Sequence, residues 1–208
     1  MSVGPRLLPP PRRLVILSLG ALAGCSVLPQ PSYVQQTQWP LVVRRPESVP
    51  PRTRGRVLVV RSLLPAPGLD QRGLQWLLPN GSVHVDFYNQ WAVPPAQGAT
   101  DDLRRWLAAS GLFAAVVAPD SGLLPDLSLE GELTTFIADP RTLTAHAALA
   151  LVLVDAHPSP AKVLLQRTIS SDARMPVDTP TGVAQGLLAA LTGVLRQTEA
   201  ALANFARP

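Results

Sequence analysis

Leu127-Ser128-Leu129-Glu130-Gly131-Glu132-Leu133-Thr134 alternates apolar or small residues with polar ones, the pattern of a β-strand with one face in a core and the other in water. Forward from it, Asp139-Pro140-Arg141 supplies a turn into a long apolar run from Leu143 to Val154, and Val163 to Ser170 completes a meander. Backward from it, Phe113 to Ala118 reads as a short strand, and Gly111 ends a helix whose apolar face carries Leu103, Trp106 and Leu107. Thr100 can cap that helix, with Asp101 and Asp102 in its positive first turn. Gln75 to Leu78 and Val83 to Tyr88 flank Pro79-Asn80-Gly81, a hairpin signal, and Val57 to Val60 is a short apolar strand closed by Pro65-Ala66-Pro67-Gly68. A last helix starts near Asp178 or Thr179 with Pro180 in its first turn. Its stripe is Val183, Leu187, Leu191, Val194, Leu202 and Phe205, widened by Leu188 and Leu195. Three strands, a helix, four strands and a helix predict an α+β fold: a mostly antiparallel sheet with two helices packed on one face.

The residues before this domain carry a different message. Arg6, Arg12 and Arg13 precede an uncharged apolar run from Leu14 to Gly24, a secretory signal pattern. As a helix the run would span about 16 Å, short of the roughly 30 Å hydrocarbon core of a bilayer. It closes on Leu22-Ala23-Gly24-Cys25, which resembles the bacterial lipobox, and Cys25 is the only cysteine in the chain. The resemblance implies lipidation, palmitate included, of the Cys25 thiol and cleavage before it, which anchors the chain to a membrane. Ser26 after the cysteine favours the outer membrane over the inner by the same resemblance. Residues 1–24 are thus expected to be a lipoprotein signal peptide, and 25–55 a lipidated tether with six prolines between Pro29 and Pro51. Residues 56–208 form the domain. Within the tether Tyr33-Val34 and Leu41-Val42-Val43 are apolar enough to add an edge strand, and Pro40 confines such a strand to an edge.

Cleavage also removes the apparent case for nucleic acid. The whole chain has net charge +4, but without Arg6, Arg12 and Arg13 the basic residues number 15 against 14 acidic. With 47% hydrophobic and 15% charged residues the chain can build a core and is no charged disordered tail. Catalytic signatures are absent: the sequence has no GxSxG, HExxH, Gly-rich phosphate loop or CxxC. His84, His146 and His157 are scattered and carry no metal spacing, so neither metal nor cofactor is expected. Glu130 and Glu132 share a strand face and could work as an acid/base pair, as in a cell-wall or lipid hydrolase, but the solvated face of an alternating strand is the better account of them. Trp76, Trp91 and Trp106 could form a ligand platform. Trp106 has helical core spacing, whereas Trp91, in Asn89-Gln90-Trp91-Ala92-Val93-Pro94-Pro95, is open between a core position and a partner contact.

Several local patterns share one family. The lipobox, the proline-rich tether, Arg56-Val57-Leu58-Val59-Val60-Arg61 and Pro67-Gly68-Leu69-Asp70 with Arg72-Gly73-Leu74 come first. Tyr88, Trp91-Ala92-Val93-Pro94-Pro95, Ala109-Ser110-Gly111-Leu112-Phe113 and Leu129-Glu130-Gly131-Glu132-Leu133 follow. In this order, over about residues 25 to 205, they resemble the ABC-type transport auxiliary lipoproteins. The resemblance implies a non-catalytic periplasmic lipoprotein that accompanies an MCE-domain protein and the components of an ABC transporter in moving phospholipid or other lipid between membranes. Homo-oligomerisation stays open. So does a second role, as an envelope-assembly lipoprotein partnering an outer-membrane barrel or secretin.

Overall fold

The computed structural model describes residue 4, residues 34–157 and residues 160–206, and the folded body begins at Gln35. Its elements run β1 (Thr37–Trp39), β2 (Val57–Val60), β3 (Leu64–Pro65), β4 (Gly73–Leu77), β5 (Val83–Trp91), α1 (Pro95–Ala109), β6 (Ala115–Val117), β7 (Leu127–Asp139), β8 (Thr144–Asp155), β9 (Lys162–Arg174) and α2 (Pro180–Leu202), with a short 3-10 turn at Ala203–Phe205. The architecture is α+β, with the helices packed against one sheet that is mostly antiparallel.

β7 is the spine. Along one edge it pairs antiparallel with β8 over its whole length, and β8 pairs the same way with β9. Along the other edge three strands share it: Leu58 of β2 pairs with Leu127, Leu64 of β3 with Glu132 and Trp76 of β4 with Ala138, all parallel. β6 extends the sheet beyond β2, while β5 and then β1 extend it beyond β4. A simple meander would be antiparallel throughout. The parallel pairings arise because the apolar strand β2 is buried on both faces and needs neighbours on both edges, which it finds far along the chain.

The alternation read from Leu127 to Leu133 is the alternation of the sheet. Leu127, Leu129 and Leu133, together with Ala145, Ala147, Leu149, Leu151 and Leu153 of β8, are buried. α2 closes over this face with Val183, Leu187, Leu191, Val194 and Leu195, and approaches closely where Gly186 leaves room for Met175 and Ala145. Thr179 caps α2, accepting a hydrogen bond from the Gly182 N–H (3.2 Å), and Pro180 follows at its first position. At the β7–β8 turn the Asp139 carboxylate binds the Arg141 N–H (3.0 Å) and its guanidinium (3.0 and 2.9 Å).

The start of α1 differs from the expectation. The helix begins at Pro95, a full turn before Thr100, because Pro94 and Pro95 have backbone angles that suit a helix entry without a side-chain cap. Thr100 is inside the helix. Its hydroxyl donates to the Ala96 carbonyl (2.7 Å) and accepts from the Leu63 N–H (2.9 Å). Asp101 and Asp102 therefore lie beyond the first turn, and the helix dipole does not account for them. Ala109 ends α1, and Gly111 follows with φ +67°.

Candidate functional site

Of the stretch read as tether, the part from Thr37 onward lies along the folded body as a strap. β1 pairs with Asn89 to Trp91 and stops where Pro40 removes a donor. Leu41 and Val43 point inward while Val42 stays exposed. Leu41 fits because Gly98 of α1 has no side chain; a Cβ there would stand 2.8 Å from Leu41 Cδ2. The strap then follows α1 from its first turns to its end. The Val43 N–H donates to Asp102 Oδ2 (2.9 Å), and the Val49 N–H to the Ala109 carbonyl (2.8 Å). Val49 and Pro50 occupy the space over Gly111.

Two charged groups secure this strap. Asp102 is fully buried, with Oδ1 held by Arg105 and Oδ2 by the Val43 N–H. Burial pushes its carboxyl up to about 6, against the downward pull of those two partners. Farther along, Arg45 Nε binds Glu199 Oε2 of α2 (3.0 Å), and Trp106 Nε1 donates to the same oxygen (2.7 Å). Strap, α1 and α2 thus meet at one carboxylate, beside a cleft of about 460 Å³ lined by Arg45, Trp106, Leu112, Glu199 and Ala203. The guanidinium pKa of Arg45 is raised, chiefly by the hydrogen bond to Glu199.

A second feature is the free edge of β9. Met175 N–H bonds the Leu143 carbonyl, so the odd-numbered residues of β9 face β8 and the even-numbered ones direct both backbone groups outward. Gln166, Thr168, Ser170, Asp172 and Arg174 form this edge, and the Ser170 carbonyl takes a hydrogen bond from Gln197 Nε2 (3.1 Å). A groove of about 650 Å³ runs beside it, lined by Leu165, Ile169, Gln197, Ala201 and Phe205. Lys162, Arg167 and Arg174 on β9, with Arg196 on α2, are exposed and enter no ion pair among the described residues.

The residues singled out from the sequence fall apart in space. Cys25, Leu22, Ala23 and Gly24 lie outside the described residues. Trp91 is a core residue, 1% exposed, with its ring 5.5 Å from that of Phe136 on β7. Glu130 pairs with Arg61 (3.0 Å) on the open face of the sheet and accepts from the Ser128 hydroxyl (3.3 Å). His84 stacks on Trp76 at 4.4 Å, His146 bonds Asp172 (2.7 Å) and His157 bonds Asp126 (2.7 Å). The Asp126 carboxyl is held below its ordinary range, first by the Val57 N–H and then by His157. Among the described residues no three His, Cys, Asp or Glu side chains converge as a metal site would require, and no helix is long and apolar enough to cross a membrane. The strap clasp went unrecognised in the sequence because Val43 is 59 residues from Asp102 and Arg45 is 154 from Glu199.

Residues 40–198 match the family described as the ABC-type transport auxiliary lipoprotein component. Among solved structures, a Xanthomonas campestris protein of the DUF330 family is similar at 22% identity and a TM-score of 0.68, covering 81% of this chain and 95% of that one. An uncharacterized protein is similar at 16% identity and a TM-score of 0.62, covering 82% and 98%. These likenesses concern the fold. No curated protein matches the chain.

Proposed function

The chain belongs to the ABC-type transport auxiliary lipoprotein family, and from that membership we propose that it is a non-catalytic accessory subunit of an MCE-type ABC system that moves phospholipid between membranes. In this reading Cys25 carries the lipid, Ser26 directs the protein to the outer membrane facing the periplasm, and the domain meets the MCE-domain protein. The observation that carries the reading is the family match itself, which spans both the strap and the domain it holds. The β9 edge supports it from the structural side. A thirteen-residue edge strand with outward backbone groups, a groove beside it and unpaired cations suits strand addition by an acidic, extended segment of a partner.

The test is crosslinked capture from whole envelopes by the tagged, full-length protein, compared with cells lacking the MCE protein. Recovery of the MCE protein is the expected result. Replacing Thr168 with Pro removes an outward N–H but none of the bonds to β8, so the variant should keep its melting temperature and lose the partner. Recovery of only an outer-membrane barrel, a secretin or peptidoglycan enzymes would overturn the transport role.

A further inference from the structure

We propose that Phe87 and Tyr88 form an aromatic wedge that enters the headgroup layer of the bilayer to which the chain is anchored. The inference rests on lipidation at Cys25, part of the function proposed above, and assigns the domain a second membrane contact.

Phe87 and Tyr88 are 67% and 44% exposed, and among the described residues no other Phe, Tyr or Trp is exposed. Their rings stand edge to face with centroids 5.3 Å apart. A bulge in β5 puts them there. Gly73 of β4 pairs with Gln90 and Gln75 with Val85, so Asp86 to Asn89 stand opposite the single residue Leu74. Asp86, almost wholly buried, ties the bulge by accepting from the Tyr88 N–H (2.7 Å), the Asn89 N–H (3.0 Å) and Asn89 Nδ2 (2.8 Å). Gly73 makes room for the bulge, since a Cβ there would stand 2.5 Å from the Asp86 carbonyl oxygen. An inward carboxylate and a required glycine thus serve to display two rings in water, where apolar rings gain nothing.

The place of the bulge selects a bilayer as the occupant. Gln36 Nε2 donates to the Phe87 carbonyl (3.3 Å), and Thr37 pairs with Asn89. The chain coming from Cys25 therefore joins the domain at this bulge. Gln36 lies eleven positions after Cys25, and a coil of that length spans roughly 18 Å, about half the diameter of a domain of this size. The lipid thus keeps the bulge on the membrane side of the domain. An amphipathic tyrosine beside a phenylalanine matches the aromatic residues that sit at headgroup level in membrane proteins.

The experiment uses the full-length lipidated protein in vesicles of phosphatidylethanolamine and phosphatidylglycerol. In a Phe87→Cys variant the introduced thiol is the only reactive one, because the lipid blocks Cys25, and it takes an environment-sensitive NBD label. Label at this exposed site should leave thermal unfolding as in the parent. We expect blue-shifted emission and several-fold quenching by lipids spin-labelled near the headgroup, while the same label on a Val163→Cys variant, on β9, emits as in water. Water-like emission at position 87 in vesicle-bound protein would overturn the wedge and leave the anchor standing. A blue shift that spin-labelled lipid does not quench would overturn it in favour of a protein contact. Failure of the protein to float with vesicles would overturn both the wedge and the anchoring.

Discussion

Replacing Asp102 with Asn tests the clasp between strap and domain through its pH dependence. Asp102 titrates near 6 in the folded protein and near 3.8 in the unfolded chain. A raised folded value means that the unfolded state ionises first, so the stability linked to Asp102 is full below pH 3.8 and is lost as pH rises through 6. The difference of about two pH units corresponds to about 3 kcal/mol, or roughly 6–12 °C in melting temperature for a domain of this size. The Asp102→Asn side chain can still accept from the Val43 N–H but has no charge to bury. The difference in unfolding free energy between variant and parent should therefore shift by about 2.5 kcal/mol in favour of the variant from pH 4 to pH 7.5. Asp126 and Asp139 have lowered values, so their stability is lost as pH falls through the unfolded value of 3.8, the opposite sense, and it cancels in the difference between variant and parent. Urea denaturation at several pH values measures the difference. A constant difference across the window would refute the reasoning, as would parent stability that rises from pH 4 to 7 while the variant stays level.

Trp91→Ala removes a fully packed indole beside Phe136 and should cost about 3–5 kcal/mol; an unchanged melting temperature with lost partner capture would make Trp91 a contact residue instead. Glu199→Ala breaks the Arg45 pair and strands the Trp106 N–H, which should cost about 1–3 kcal/mol. Because the strap loosens, trypsin should then cut at Arg44, Arg52 or Arg54 before it cuts the sheet. Cys25→Ala should abolish labelling by radioactive palmitate, and a labelled variant would sink the anchor assignment.

The strands β7, β8 and β9 and the hairpin at Asn80-Gly81 were legible because their signals are local: a period of two and a turn dipeptide that supplies positive φ at Gly81. Their partners across β7 were not, since a parallel pairing such as Leu58 with Leu127 leaves no local mark. The start of α1 was misread for a chemical reason. Pro95 to Ala99 carries no large apolar residue, whereas Thr100-Asp101-Asp102 has the short polar side chains of a cap. Only the contact of Asp102 with Val43 reveals the carboxylate as a buried acceptor. For the strap a signal did exist, because Leu41-Val42-Val43 is an apolar run among prolines, but the strand that forms is Thr37–Trp39 before Pro40, and the prolines mask where docking begins. The bulge at Asp86 was hidden inside a run that reads as unbroken strand.

The spine strand has a consequence for biosynthesis. β2, β3 and β4 find their parallel partners 62 to 69 positions downstream, on β7. A ribosome adding about 5–20 residues per second reaches Leu127 roughly 3–14 s after Leu58. Until Ala115 to Val117 of β6 are made, late in that interval, Val57 to Val60, four apolar residues with unpaired edges, have no strand to join. The meander of β7, β8 and β9, by contrast, can pair as soon as it is made, because its contacts are local. The half of the domain that is made first must wait for the half that is made last, and holding it soluble meanwhile falls to whatever chaperone receives the nascent chain.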